Sequence, residues 1–242
     1  MPGIGTIVNI FAVLAGGCIG LLLKGGMKER HQEGVVKAMG LSTIFIGASG
    51  ALPGMLVAEN GALSGVSIHE TLSMILALAL GTFLGEVIDF DGKLERLGAW
   101  LKEKATRGED SRFIEGFVTA SLTVCVGAMA IVGSIQDGIA GDYSILATKA
   151  ILDLIIIMVM TCSMGRGCVF SAIPVAMLQG SITALAGLVK PLMTDAALAN
   201  LSLVGNVLIF CVGINLVWGK KIRVANLLPA VVVAVIAAFL PI

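Results

Sequence analysis

The chain has 242 residues, of which 57% are hydrophobic and only 13% charged. Soluble domains carry about a quarter charged residues, so a globule of this size would lack groups to face water, and the apolar content equally excludes disorder. Sixteen Lys+Arg balance 16 Asp+Glu, which leaves no basic excess for nucleic acid, and an integral membrane protein is the class that remains.

Eight apolar runs reach or approach the ~20 residues that cross a bilayer. They cover residues 4–23, 36–57, 70–87, 116–132, 143–163, 168–189, 201–218 and 225–240. The first has no basic segment before it and is followed by Lys24 and Lys28 rather than a small-residue cleavage site, so it reads as a retained span. The sixth contains Pro174 and Gly180, which predicts a kink or break. The seventh and eighth are short and also compatible with a hairpin. The reading is therefore all-α: one polytopic membrane helix bundle over residues 1–242, with about eight transmembrane helices.

Charge supports the count. With the N-terminus outside, Lys24, Lys28, Arg30 and Lys37 fall inside. So do Lys93, Arg96, Lys102, Lys104, Arg107 and Arg112, then Arg166, then Lys220, Lys221 and Arg223. Fourteen of the 16 basic residues thus share one side, and only Lys149 and Lys190 fall toward the other. That is the positive-inside pattern, and it predicts both termini outside. Between the third and fourth spans, residues 91–112 place Leu94, Leu97, Trp100 and Leu101 at helical spacing among Lys and Glu, which predicts an amphipathic helix on the cytoplasmic surface.

Gly16/Gly20 and Gly81/Gly85 are small-xxx-small pairs that let helices approach closely. They serve either packing within one subunit or a homo-oligomer face. Residues 13–20 echo 78–85, residues 42–48 echo 122–128, and residues 209–213 echo the latter again, a pattern of internal repeats such as transporter folds contain. The five cysteines are odd in number, lie in or beside apolar runs and lack metal-site spacing, so no disulfide framework and no metal are expected. His31 and His69 are the only histidines and lie in or near loops, so no serine–histidine protease site is formed within the membrane. With no zinc-protease motif and no glycine-rich phosphate loop, neither an enzyme nor a cofactor is expected.

The chemistry concentrates in residues 133–153. Glycines and aspartates mark a tight outer turn. Lys149 and Asp153 follow four apart on one helical face. If the fifth span starts near Tyr143, Asp153 lies about 15 Å deep, near the bilayer midplane, where a charge costs roughly 3 kcal/mol on insertion scales. Gln136, Asp137, Gln179, Asn9 and Asn206 fall at similar or shallower depth toward the outer side. Pro174 frees a backbone carbonyl near Phe170, and Gly165 and Gly167 favour an unwound start to the sixth span, as in broken helices that line a cavity.

The run Gly133-Ser134-Ile135-Gln136-Asp137-Gly138 through Asp153 resembles the signature of the bacterial membrane family known as domain of unknown function 554, the YqgA/YdfK-like proteins. Residues 80–86, 94–98, 170–174, Gln179-Gly180 and 221–226 are similar to that family too. Leu154 departs from it, standing where a small residue is expected. The resemblance implies a multi-pass bacterial inner-membrane protein, often labelled a membrane or transport protein, and brings no substrate with it.

The residues themselves point to a transporter or channel for a small polar solute or ion. Asp153 and Lys149 form its centre, with Gln136, Asp137, Gln179, Asn206 and Asn9 around them. The alternative is a non-transporting membrane scaffold or sensor in which the Lys–Asp pair is structural.

Overall fold

Backbone amides in lipid must be satisfied within their own segment, so long apolar runs become helices. The computed structural model describes residues 3–24, 29–59, 62–106, 112–125 and 128–239. Helices α1 (Ile4–Lys24) and α2 (Glu29–Met55) are followed by a two-stranded antiparallel hairpin, β1 (Leu56–Glu59) and β2 (Ala62–Val66), then by α3 (Ile68–Ile88) and α4 (Phe90–Thr106). Next come α5 (Phe113–Cys125), α6 (Ala128–Ala140) and α7 (Ser144–Met164). A 3-10 turn at Arg166–Ser171 leads into α8 (Ala172–Ala184) and the short α9 (Ala186–Val189). The chain ends with α10 (Asp195–Trp218), α11 (Val224–Leu227) and α12 (Pro229–Ala237). The chain is an all-α polytopic membrane bundle, with the small hairpin as its one addition among the described residues. Lys28, Arg107 and the Val126-Gly127 part of the second sequence echo lie outside those residues.

Among the described residues six segments are long and apolar enough to cross a membrane, seven if the bent pair α5–α6 is one span. That pair corrects the expected fourth span. Instead of one helix over 116–132, α5 and α6 meet at an angle of 60°. The eighth expected span is likewise shorter than a crossing helix. Residues Val224–Ala237 extend about 21 Å at 1.5 Å per residue, against a hydrocarbon core of about 30 Å. The seventh is longer than its apolar core, at 24 residues. Large apolar side chains stay exposed along these helices, among them Phe11, Leu22, Phe45 and Phe83, a surface suited to lipid.

The chain divides into two compact units, Met1–Ala38 with Gly92–Lys190, and Met39–Asp91 with Pro191–Ile242. In the first, α1 packs along α7. A Cβ on Gly16 would lie 2.3 Å from the Leu154 carbonyl oxygen, and one on Gly20 2.4 Å from that of Met158. The matched four-residue steps make the helices parallel. The close approach beside Asp153 is thus supplied by Gly16, which accommodates Leu154. Helix α8 runs antiparallel to α1: Gly17 faces Val169 of the preceding turn, and Thr6 faces Thr183.

In the second unit α2 and α10 are antiparallel, with Gly40 at Val217 and Gly47 at Phe210. Gly81 and Gly85 of α3 meet Ala230 and Asn226; a Cβ on Gly85 would lie 1.7 Å from the Asn226 carbonyl oxygen. Both small-xxx-small pairs are therefore covered by helices of the same chain. Of the two readings of these pairs, packing within one subunit is the one their contacts fit.

Helix α4 realises the expected amphipathic segment over Phe90–Thr106, and protein covers part of its apolar face. Leu101 is buried and Gly98 packs against Phe117, while Trp100 stays exposed with the Lys104 ammonium 5.6 Å from its ring centre. The sixth span starts unwound, as its glycines suggested. Gly165 has φ 94°, and a Cβ on Gly167 would lie 1.9 Å from the Phe113 carbonyl oxygen. Pro174 falls in the first turn of α8, where its missing N–H disrupts nothing. Gly180 leaves the helix unbroken.

Candidate functional site

Helix α7 carries Lys149 and Asp153 one turn apart, so their side chains meet. Lys149 Nζ donates to Asp153 Oδ2. Asp153 lies nine residues into the helix, about 14 Å from its start. Both residues are buried, Lys149 at 7% and Asp153 at 4% exposure. Two unpaired charges at such depth would be prohibitive, and the site supplies further partners.

The first is the backbone of α5. Lys149 Nζ also donates to the Val124 carbonyl oxygen at 2.8 Å. Val124 is in the last turn of α5, where carbonyls have no intrahelical partner and carry the negative end of the helix dipole. The break between α5 and α6 thus turns a helix C-terminus toward the buried ammonium. The second partner is Asn9 of α1. Its Nδ2 donates to Asp153 Oδ2 at 3.0 Å and to Gln179 Oε1 of α8 at 3.1 Å.

That arrangement fixes both amides. A carboxylate accepts only, so Asn9 must present its NH2, and Gln179 must then present its oxygen. Asn9 Oδ1 and Gln179 Nε2 are left fully buried without a hydrogen-bond partner. One is an acceptor and the other a donor.

A second polar layer lies toward the start of α1. Thr6 Oγ1 and Thr183 Oγ1 are 2.9 Å apart, one helical turn along from Asn9 and Gln179. Asp137 of α6 accepts from the backbone N–H of Gly3 at 3.1 Å and of Thr6 at 3.2 Å. A carboxylate from another helix therefore caps the first turn of α1, where free N–H groups and the positive dipole end favour an anion. Beyond the helices, Asp142 accepts from the Ser144 hydroxyl at 2.6 Å and its backbone N–H at 3.0 Å. Those bonds, the hydroxyl's foremost, hold its carboxyl below the usual carboxylate range.

Of the seven residues singled out from the sequence, four meet: Asn9, Lys149, Asp153 and Gln179. The other three do not join them. Asp137 is buried but spent on the amides of α1. Gln136, its neighbour, is exposed, because one residue is 100° of helical turn. Asn206 belongs to the second unit, where its Nδ2 donates to the Ser202 carbonyl and hydroxyl of its own helix. Sequence reasoning missed the Val124 carbonyl, which has no side-chain signal. It also missed Thr6 and Thr183, detectable as hydroxyls three and four residues from Asn9 and Gln179 on the same helix faces.

The second unit has its own buried acid, Asp91 at the start of α4. It is paired with Lys220, and its N–H donates to Asn226 Oδ1 at 2.7 Å. Lys220 is half exposed, and this cluster ties the start of α4 to the segment that follows α10. Among the described residues no three His, Cys, Asp or Glu converge on a metal position.

The sequence was compared with known proteins. Residues 4–239 match the family described as "Protein of unknown function (DUF554)". The chain is similar to the uncharacterized membrane protein YdfK of Bacillus subtilis (strain 168), 27% identical over 235 residues, 97% of this chain and 95% of the relative. It is also similar to the uncharacterized protein YqgA of Escherichia coli (strain K12), 29% identical over 238 residues, 96% of this chain and 94% of that relative. No solved structure matches it. Since the match takes in every transmembrane segment and the whole Asn9–Lys149–Asp153–Gln179 cluster, the chain belongs to the DUF554 family of membrane proteins.

Proposed function

We propose that this protein is an inner-membrane transporter or channel for a small polar solute or ion, and that the solute meets Asn9, Lys149, Asp153 and Gln179. The reading places both termini outside, by the asymmetry of the basic residues, and it requires the short Val224–Ala237 segment to complete the last crossing. The observation that carries it is the pair of orphaned amide atoms, Asn9 Oδ1 and Gln179 Nε2, beside a buried ion pair. Each such orphan costs about 1–3 kcal/mol. A structural ion pair explains the satisfied bonds of Lys149. It gives no reason to bury two amides and leave half of each unmatched. A small polar guest, offering both a donor and an acceptor, would complete them.

At 4% exposure Asp153 is enclosed, so passage requires the surrounding helices to move. The breaks after α5 and at Gly165 offer hinge points on both sides of the site. A scaffold or sensor role is the competing reading. The test is reconstitution into liposomes and recording of currents on solid-supported membranes while ions and small polar solutes are applied. Asp153→Asn should remove the response and leave the protein monodisperse and inserted. An undiminished response in that variant removes Asp153 from the mechanism.

A further inference from the structure

Two primary amides that meet edge to edge can close a ring of two N–H···O bonds. Asn9 and Gln179 make one of these, from Asn9 Nδ2 to Gln179 Oε1 at 3.1 Å. Asn9 Nδ2 also donates to Asp153 Oδ2, and the second bond of the ring stays open. The open edge consists of Asn9 Oδ1, an acceptor, and Gln179 Nε2, a donor, both buried and unpartnered. Each lies two covalent bonds from an atom of the 3.1 Å bond, so one small molecule can reach both. A guest that completes the edge must donate to Asn9 Oδ1 and accept from Gln179 Nε2. The planar N–H/C=O edge of an amide or a urea offers those two functions on separate atoms, as the open edge does.

Charge narrows the class further. Lys149 and Asp153 compensate each other. Of the nearby charged groups, Asp137 is turned to the amides of Gly3 and Thr6, and Arg166 in the 3-10 turn is exposed. A net charge on the guest would stand uncompensated deep in the bilayer unless it opened the Lys149–Asp153 pair. One turn along the seam between α1 and α8, the Thr6 and Thr183 hydroxyls can each donate or accept. From the start of α1 inward, that seam therefore presents two successive layers of uncharged donors and acceptors.

We infer that the solute is a small molecule of no net charge that carries an amide or urea edge. Its N–H donates to Asn9 Oδ1, and its carbonyl oxygen accepts from Gln179 Nε2. Asp153 is then a positioning residue: as an acceptor only, it fixes which end of the Asn9 amide faces the guest. An asparagine at 153 could offer either its oxygen or its NH2, and that constraint would be lost. This inference rests on the transport reading above and names its substrate class.

The test uses the full chain in proteoliposomes and follows uptake of ¹⁴C-urea. Flux is measured directly because a neutral guest carries no net charge; on a solid-supported membrane it would register only as the transient shift of the Lys149–Asp153 dipole. Uptake should exceed that of protein-free liposomes. Excess acetamide, which has both functions, should suppress it. Tetramethylurea keeps the carbonyl and has no N–H, so it should compete about tenfold less well or worse. Gln179→Met, close in size and without an amide, should fall to the protein-free rate while eluting monodisperse. The competition needs no variant, so it decides the matter if Gln179→Met does not fold. Urea uptake at the protein-free rate, equal competition by tetramethylurea, or full uptake in folded Gln179→Met overturns the assignment, and so does passage of glycerol or glycine where urea is refused. If urea is refused while Asp153-dependent currents answer to ions or zwitterions, this inference falls and the transport reading stands. Absence of every response removes both.

Discussion

Removing Asp153 alone should be worse for stability than removing the pair. In Asp153→Leu the Lys149 ammonium stays at 7% exposure with the Val124 carbonyl as its remaining partner. Deleting one member of a buried ion pair costs about 3–5 kcal/mol, because the other charge is left uncompensated. Asn9 adds little to that loss, since its Nδ2 keeps Gln179 Oε1. In the double variant Lys149→Met/Asp153→Leu both charges are gone. The residual cost is the orphaned Val124 carbonyl, about 1–3 kcal/mol, offset in part by apolar packing. The double variant should therefore lie between the wild type and the single variant. Reversible unfolding by sodium dodecyl sulfate in mixed micelles, followed by circular dichroism, ranks the three. A single variant as stable as wild type, or a double variant no better than the single, refutes the idea that Lys149 and Asp153 compensate each other's burial. The same samples in liposomes bear on function: the folded double variant should be silent, and flux through it would remove the Lys149–Asp153 pair from the transport mechanism.

Three other outcomes follow from the geometry. Gly16→Ala should destabilise by about 1–3 kcal/mol, because the new Cβ meets the Leu154 carbonyl at 2.3 Å. Gly180→Ala, with open space around it on α8, should be neutral or up to about 1 kcal/mol stabilising; thermal melts in detergent compare the two. Asp137→Ala removes two bonds to the first turn of α1 and should cost about 1–2 kcal/mol, read as faster hydrogen exchange near Thr6; unchanged protection there would show that the cap is not needed. Asp142 titrates below the ordinary carboxylate range, so its stabilising effect is complete above the unfolded-chain pKa of 3.8 and is lost as pH falls through the lower folded value. Ser144→Ala should move that titration upward toward 3.8, as carboxyl NMR would register.

Long apolar runs made most helices legible, because span length and composition are local properties. The break between α5 and α6 was hidden since the apolar run continues through Ala128, Met129, Ala130 and Ile131, and hydropathy does not register a change of direction. The hairpin at Leu56–Val66 was missed although Asn60-Gly61, the dipeptide favoured in two-residue turns, stands between its strands. The Lys149–Asp153 pair was visible because i,i+4 spacing is intrinsic to one helix. Which amides would reach it was not, since that depends on helix neighbours distant in sequence: Asn9 and Asn206 look alike in the chain, and it is the packing of α1 along α7 that brings Asn9 to Asp153. Asp91 reads in the sequence as the first charge of the amphipathic segment, and only the fold brings Asn226 and Lys220 beside it.

The placement of the site on α7 bears on how the chain enters the membrane. By insertion scales, the nine Leu, Ile and Val residues of α7 contribute roughly −3 to −5 kcal/mol, Asp153 near the centre opposes them with roughly +3, and Lys149, six residues in, adds a smaller cost. The balance is close to zero, so partners decide whether that helix enters lipid. Asn9 and Val124 precede it in synthesis, whereas Gln179 emerges later. Translation order therefore presents the charges to helices already waiting at the translocon, and a nascent chain without α1 would leave α7 stranded at the interface.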